Sequence, residues 1–187
     1  MCGIRTSGTY SGNYVYGEVF EKLMDNNSIH LEVIMNENCM VCQRIEKIKR
    51  GENPYFVKEL ETGYVVIGDF QRFKGYTVFI CKECQPEIHL LEPEFRKKFL
   101  EEMSIVGEAV YKAFKPDKLN YELLGVGNAV HMHWHFFPRR EGDTPVKGTV
   151  WKLDKAEMYA EKYRPNADEL EELKTTLLAE LDKLVLS

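Results

Sequence analysis

The segment His131-Met132-His133-Trp134-His135-Phe136-Phe137-Pro138-Arg139 decides how this chain is read. Side chains alternate faces along a β-strand, so His131, His133 and His135 are predicted to share one face of the strand. Met132, Trp134 and Phe136 then occupy the opposite face and turn into a core. A sheet that is wet on one side and apolar beneath calls for helices packed on the apolar side, an α+β arrangement. Three of the chain's five histidines fall within these five positions, an uncommon concentration that asks for a chemical reason.

Three chemistries fit such a row of imidazoles. The histidines could be three ligands of one metal ion, since His-x-His on a strand suits zinc or iron. They could form an exposed stripe without chemistry. Or one of them could attack phosphorus. An imidazole with its ordinary pKa of about 6.5 is largely neutral at pH 7 and offers a lone pair without a separate base. A neutral attacker also avoids repulsion from an anionic phosphate, which leaves positioning and donor groups as the sources of catalysis. The flanks favour phosphate: Gly125-Val126-Gly127-Asn128 supplies a tight backbone and a side-chain amide, and Arg139 follows the strand as a candidate anion contact.

Moving outward, Tyr55–Leu60 and Gly63–Asp69 read as strands joined by the Glu61-Thr62-Gly63 turn, and Tyr76–Lys82 as a third strand. Pro93 opens a long helix to about Lys115, with Phe95, Phe99, Met103, Val106 and Val110 at three- and four-residue spacings, an ordinary core stripe. Asn120–Gly125 and His131–Phe137 complete about five strands, with helices expected on one face of the sheet. A short apolar piece lies at Val150–Leu153. Asp168–Leu186 reads as a closing helix with Leu170, Leu173, Leu177, Leu181 and Leu184 on one side. Residues 1–38 are expected to form an N-terminal extension packed on a main domain of residues 39–187, with a short helix at Tyr14–Met24 and a strand at Ile29–Met35.

The 187 residues are 44% hydrophobic, 12% aromatic and carry a net charge of −5. That composition supports a sizeable core and argues against broad electrostatic capture of nucleic acid or anionic membrane. No stretch approaches the roughly 20 apolar residues of a membrane span, and Met1–Thr6 lacks the apolar run of a secretory signal. Five cysteines, four of them in Cys39-Met-Val-Cys42 and Cys81-Lys-Glu-Cys84, suit a reducing compartment and metal chemistry better than disulfides. A cytoplasmic protein is expected. On spacing alone the two pairs read as a four-cysteine zinc site, with reduced, metal-free thiols as the alternative.

These residues resemble the histidine triad (HIT) superfamily, whose signature is His-φ-His-φ-His-φ-φ with φ apolar. The form here, Gly-Asn two residues before His-Met-His-Trp-His-Phe-Phe-Pro-Arg, resembles its bacterial dinucleoside polyphosphate hydrolase-like members, over about Cys39–Trp151. Gly75-Tyr76-Thr77-Val78-Phe79-Ile80-Cys81-Lys82-Glu83-Cys84 resembles the family's Gly-His-x-(apolar)-Pro-Lys-x-His segment. It departs where Tyr76 replaces the first histidine, Cys81 the proline and Cys84 the second histidine, and the departures at Tyr76 and Cys84 leave a non-catalytic nucleotide-binding module as an alternative to an enzyme.

The resemblance implies that His133 attacks the α-phosphorus to form a nucleotidyl-histidine. It also implies that His135 contacts the transferring phosphate, that His131 supports the site, and that Asn128 and Asp69 hold phosphate and ribose. It further implies a homodimer and no organic cofactor. Some relatives bind structural zinc through residues that correspond here to Cys39, Cys42, Cys84 and His131. That set is preferred to the four cysteines, because Cys81 lies inside a strand and is expected to face the core.

Overall fold

The computed structural model describes residues 39–125 and 130–185. The extension at 1–38, with the helix and strand expected in it, lies outside the described residues, as does Asn128. Among the described residues five strands form one antiparallel sheet: β1 (Phe56–Glu59), β2 (Gly63–Ile67), β3 (Thr77–Cys81), β4 (Lys118–Leu123) and β5 (His133–Arg139). Their spatial order is β1-β2-β3-β5-β4. The helices are α1 (Met40–Lys49), α2 (Pro93–Phe114), α3 (Lys155–Met158) and α4 (Ala167–Val185). The α+β class and the five strands are those expected from the sequence.

Pairing register sorts the side chains into two layers. Phe79 lies opposite Trp134, while Val78 lies opposite His135 and Ile80 opposite His133. Val65, Ile67, Phe79, Cys81, Met132 and Phe136 therefore enter the main core beneath α2 and α4. That core takes Phe99, Val106 and Val110 from α2 and Leu170, Leu173, Leu177 and Leu181 from α4, the stripes read from their spacing. Phe79 and Phe99 stack with ring centroids 5.2 Å apart, and each such fully buried side chain contributes about 2–3 kcal/mol. Pro93 stands at the start of α2, where Glu92 caps the Glu94 and Phe95 amides, and Lys115 ends the helix in the left-handed region.

Helices do not cover one face alone, as the sequence reading expected. α1 lies over the opposite face, where Ile45 and Ile48 pack on Tyr64, Val66, Val78 and Ile80. The cause is visible in β2 and β3, which are buried at every position. A strand apolar on both sides must be covered on both sides. The histidines thus share their sheet face with a helix. Two boundaries also move. β4 begins at Lys118 and not at Asn120, and β5 begins at His133, because Met132 is held by the end of β3 and the turn after it: its carbonyl accepts from the Cys81 amide at 3.1 Å and its amide donates to Gln85 O at 3.0 Å. The apolar piece near 150 is a 3-10 turn, Val150–Lys152, whose Val150 packs with Phe73, Phe137, Leu153 and Met158. Among the described residues no helix is long and apolar enough to cross a membrane.

One buried carboxylate ties the sheet to α2. Glu102 is 5% exposed and accepts hydrogen bonds from the Glu61 and Thr62 amides, both at 2.9 Å, and from the Thr62 hydroxyl. Removing the carboxylate strands the buried Thr62 amide and takes the acceptor from the part-buried Glu61 amide. Glu102→Ala should therefore lower stability by about 2–4 kcal/mol in a urea titration, with Glu102→Gln losing less. An unchanged midpoint would show that the turn finds water instead.

Candidate functional site

β5 sits between β3 and β4, so its backbone is held on both sides and its side chains are aimed by the pleat. His133 Nδ1 lies 2.7 Å from the carbonyl oxygen of His131. A carbonyl only accepts, so Nδ1 carries the proton and Nε2 keeps its lone pair. Burial depresses the pKa of this ring, and the Arg44 guanidinium adds to the effect. The lone pair is thus available at neutral pH. The His135 ring lies 4.6 Å away, centroid to centroid, at 68°. Burial, helped by His133, pushes its pKa down to about 3. Both rings are neutral at pH 7, and neither needs to shed a proton before meeting an anion.

His131 is placed differently. Its ring is 1% exposed, its Nε2 donates to Cys81 O at 2.8 Å, and its Nδ1 lies 3.4 Å from the Cys42 sulfur. The ring is turned out of the histidine row and into a cluster with Cys39, Cys42 and Cys84, whose four ligand atoms lie within 4.8 Å of one another. Three imidazoles converging on one ion, one of the arrangements the sequence left open, do not occur here.

The cluster suits a different metal site. Three sulfurs and one imidazole nitrogen form a soft, tetrahedral-capable set, and zinc with Zn–S of about 2.3 Å spaces its ligands by about 3.8 Å. Burial, reinforced by the neighbouring Cys42 and Cys39 thiols, raises the Cys84 pKa. Burial also lowers that of His131, so the imidazole is held in its ligating, neutral form. Cys39 caps α1, its sulfur accepting from the Cys42 amide at 3.4 Å. Cys81 faces the main core, and burial pushes its thiol up to about 12. Of the two ligand sets read from the sequence, the structure brings together Cys39, Cys42, Cys84 and His131 and leaves Cys81 outside.

The remaining expected residues divide. Asp69, two residues after β2, is gripped by Arg44 from α1, with contacts of 2.7 and 3.1 Å. The pair is part-exposed, which limits its contribution to about 1 kcal/mol; its effect is to aim the carboxylate and to bring a cation beside the histidines. The reading of the sequence missed Arg44 because it missed α1, whose Cys42, Ile45 and Ile48 at three-residue spacing were the available signal. Arg139 does not offer itself to an anion. Its guanidinium binds Asp143 at 2.7 and 2.8 Å, with further contacts to Thr144, Asn120 and the Gly148 carbonyl. It closes the loop that follows β5. Tyr76, noted only as a departure from the family pattern, has its hydroxyl 2.6 Å from His135 Nδ1.

No protein-family model matches the sequence, and no curated protein matches it. Solved structures do. A histidine triad protein from Bradyrhizobium japonicum is 21% identical, with a TM-score of 0.58 over 67% of this chain and 89% of that one. A hypothetical histidine triad nucleotide-binding protein from Sulfolobus tokodaii is 21% identical, with a TM-score of 0.57 over 76% and 93%. A zinc-bound histidine triad family protein from Mycobacterium smegmatis is 21% identical, with a TM-score of 0.53 over 76% and 95%. Identities this low speak for architecture and not for activity. The five-stranded antiparallel sheet with its helices matches that architecture: this chain has the histidine triad fold.

Proposed function

We propose that the chain is a histidine triad enzyme that cleaves nucleoside 5′-phosphate derivatives, foremost dinucleoside polyphosphates, at the α-phosphate through a nucleotidyl-histidine on His133. The observation that carries the reading is the 2.7 Å hydrogen bond from His133 Nδ1 to the His131 carbonyl, which leaves Nε2 as a fixed, unprotonated nitrogen. In the first step Nε2 bonds to phosphorus and the bond from phosphorus to the bridging oxygen breaks, releasing the remaining phosphate chain. In the second, water attacks phosphorus, the P–N bond breaks, and a nucleoside monophosphate leaves with His133 neutral again. His135, 4.6 Å from His133 between ring centres, is assigned to the transferring phosphate. Asp69, steadied by Arg44, is assigned to the ribose, and Asn128 to phosphate. All these groups belong to residues 39–187, and the setting is cytoplasmic.

The rival reading, a metallohydrolase built on His131, His133 and His135, loses support because His131 is committed to Cys81 O and the cysteine cluster. Structural zinc on Cys39, Cys42, Cys84 and His131 is proposed instead, with no organic cofactor. When bound, zinc would supply a cross-link between the start of α1, the turn after β3 and the approach to β5. The net charge of −5 gives no support to nucleic acid as a partner.

A homodimer is proposed, formed along β4, an outer strand of the sheet that carries the exposed Tyr121, with the exposed Tyr111 on α2. Sedimentation velocity should give a dimer, and Tyr111→Glu should move the distribution to monomer by burying a charge at the contact. A monomeric wild-type chain at micromolar concentration would overturn this assignment.

The direct test is intact mass spectrometry after brief mixing with diadenosine polyphosphate and an alkaline quench, since phosphoramidates survive base better than acid. A covalent nucleotidyl adduct that is absent in His133→Ala is expected. Product formed at the normal rate with no adduct at any mixing time would overturn the covalent mechanism.

A further inference from the structure

The residue at position 76 is held more tightly than a casual replacement would be. Tyr76 lies just before β3, and its ring stacks on Phe137 with centroids 4.4 Å apart and planes 2° from parallel. The same ring runs parallel to His135, at 5.9 Å and 12°. Its backbone carbonyl accepts from the Gly68 amide at 2.8 Å and from Gln71 Nε2 at 3.0 Å. Gln71 reaches back to the Gly68 carbonyl as well, at 2.7 Å. A Cβ at position 68 would come within 2.0 Å of the Tyr76 ring, so the phenol occupies space that only glycine leaves open. Sheet, glutamine clamp and glycine together bring the hydroxyl to 2.6 Å from His135 Nδ1.

The direction of that hydrogen bond sets which nitrogen of His135 carries the proton. If the hydroxyl donates, Nδ1 is the acceptor and the proton sits on Nε2. If it accepts, the proton sits on Nδ1 and Nε2 presents a lone pair. A lone pair aimed at a phosphate oxygen repels it, whereas an N–H stabilises the charge that develops there. Burial raises the pKa of the phenol, so it retains its proton at neutral pH. Among the described residues the Tyr76 hydroxyl has no other partner.

We propose that Tyr76 is a positioning residue: its hydroxyl donates to His135 Nδ1 and holds His135 in the Nε2–H tautomer, ready to donate to the transferring phosphate. The proposal deepens the phosphate reading given above and rests on it for the role of the N–H. It also couples two positions, since Gly68 is what admits the ring. Tyr76 itself touches no substrate atom; it acts through His135.

The test separates tautomer from turnover. With imidazole nitrogens labelled, long-range proton–nitrogen spectra of the ligand-free protein should show His135 protonated on Nε2 and bare on Nδ1. Tyr76→Phe keeps the stacking ring and removes the hydroxyl, so its Nδ1 signal should shift as that nitrogen loses its donor. Turnover of diadenosine polyphosphate should fall about tenfold, the scale of one lost hydrogen bond to a reacting group, with KM little changed. Gly68→Ala, which displaces the ring, should give the same spectral change. A wild-type spectrum with the His135 proton on Nδ1 overturns the proposal, and so does unchanged turnover in Tyr76→Phe. The tautomer is read without substrate, so failure of the phosphate reading, revealed by an active His133→Ala, is distinguishable from failure of the role given to Tyr76.

Discussion

Replacing His133 by alanine should lower the turnover of diadenosine polyphosphates by at least about 10⁴-fold, the usual cost of deleting a nucleophile, while the protein stays folded. The size follows from the way the neighbouring imidazoles are committed. His131 is locked between Cys81 O and the cysteines, and His135 has its Nδ1 engaged by Tyr76. Neither is placed to take over the attack on phosphorus. His133→Asn is the stricter variant, because its amide N–H can replace the bond to the His131 carbonyl while offering no nucleophile. Both variants should lose activity alike and melt within a few degrees of the wild type. Initial rates of monophosphate release, measured beside thermal melts, check this. Wild-type activity in either would end the mechanism.

Removal of the proposed zinc should have the second-largest effect. Zinc binding energy is folding energy when the ligands are far apart in sequence, and here they span residues 39 to 131. Dialysis against a strong chelator should cost at least about 3 kcal/mol of stability, less than a zinc finger loses because the main core remains. Activity should fall with it, since the His131 carbonyl that fixes His133 belongs to the same residue as the cluster's imidazole. Elemental analysis after gentle purification should find one zinc per chain. Cys84→Ser should lower that content and Cys81→Ser should not, because Cys81 lies in the apolar core. Metal well below one equivalent in the wild type, or equal loss in both variants, would count against the assignment.

What the sequence disclosed, it disclosed where periodicity and local packing agree. The alternation of His133, Trp134, His135 and Phe136 placed two rings on one face and two apolar side chains in the core, as their register with β3 bears out. The stripes of α2 and α4 were equally plain. α1 was obscured because its first turn is also a Cys-x-x-Cys, so a metal motif masked a helix start. With α1 hidden, Arg44 and its pairing with Asp69, 25 residues on, were out of reach. Arg139 was read without its partner, for the opposite reason. Its partner Asp143 is only four residues on, and a carboxylate so near competes with any ligand for the guanidinium. His131 left the histidine row because the turn carrying Cys84 captures the chain before β5 begins, a long-range contact that period-two reasoning does not see.

Position 131 serves two neighbours with two different parts of itself: the ring goes to the cysteines and the main-chain carbonyl to His133. Every residue has a carbonyl. Divergence at this position is therefore constrained through the ring alone, by its bond to Cys81 O and by what the proposed cluster accepts as a fourth ligand. A lineage could exchange His131 for cysteine, abandon the three-histidine signature by which such chains are recognised, and still present the same reactive nitrogen at 133. Searches that demand all three histidines would pass over those descendants, whereas one keyed to His133, His135 and the Cys39–Cys42 pair would retain them.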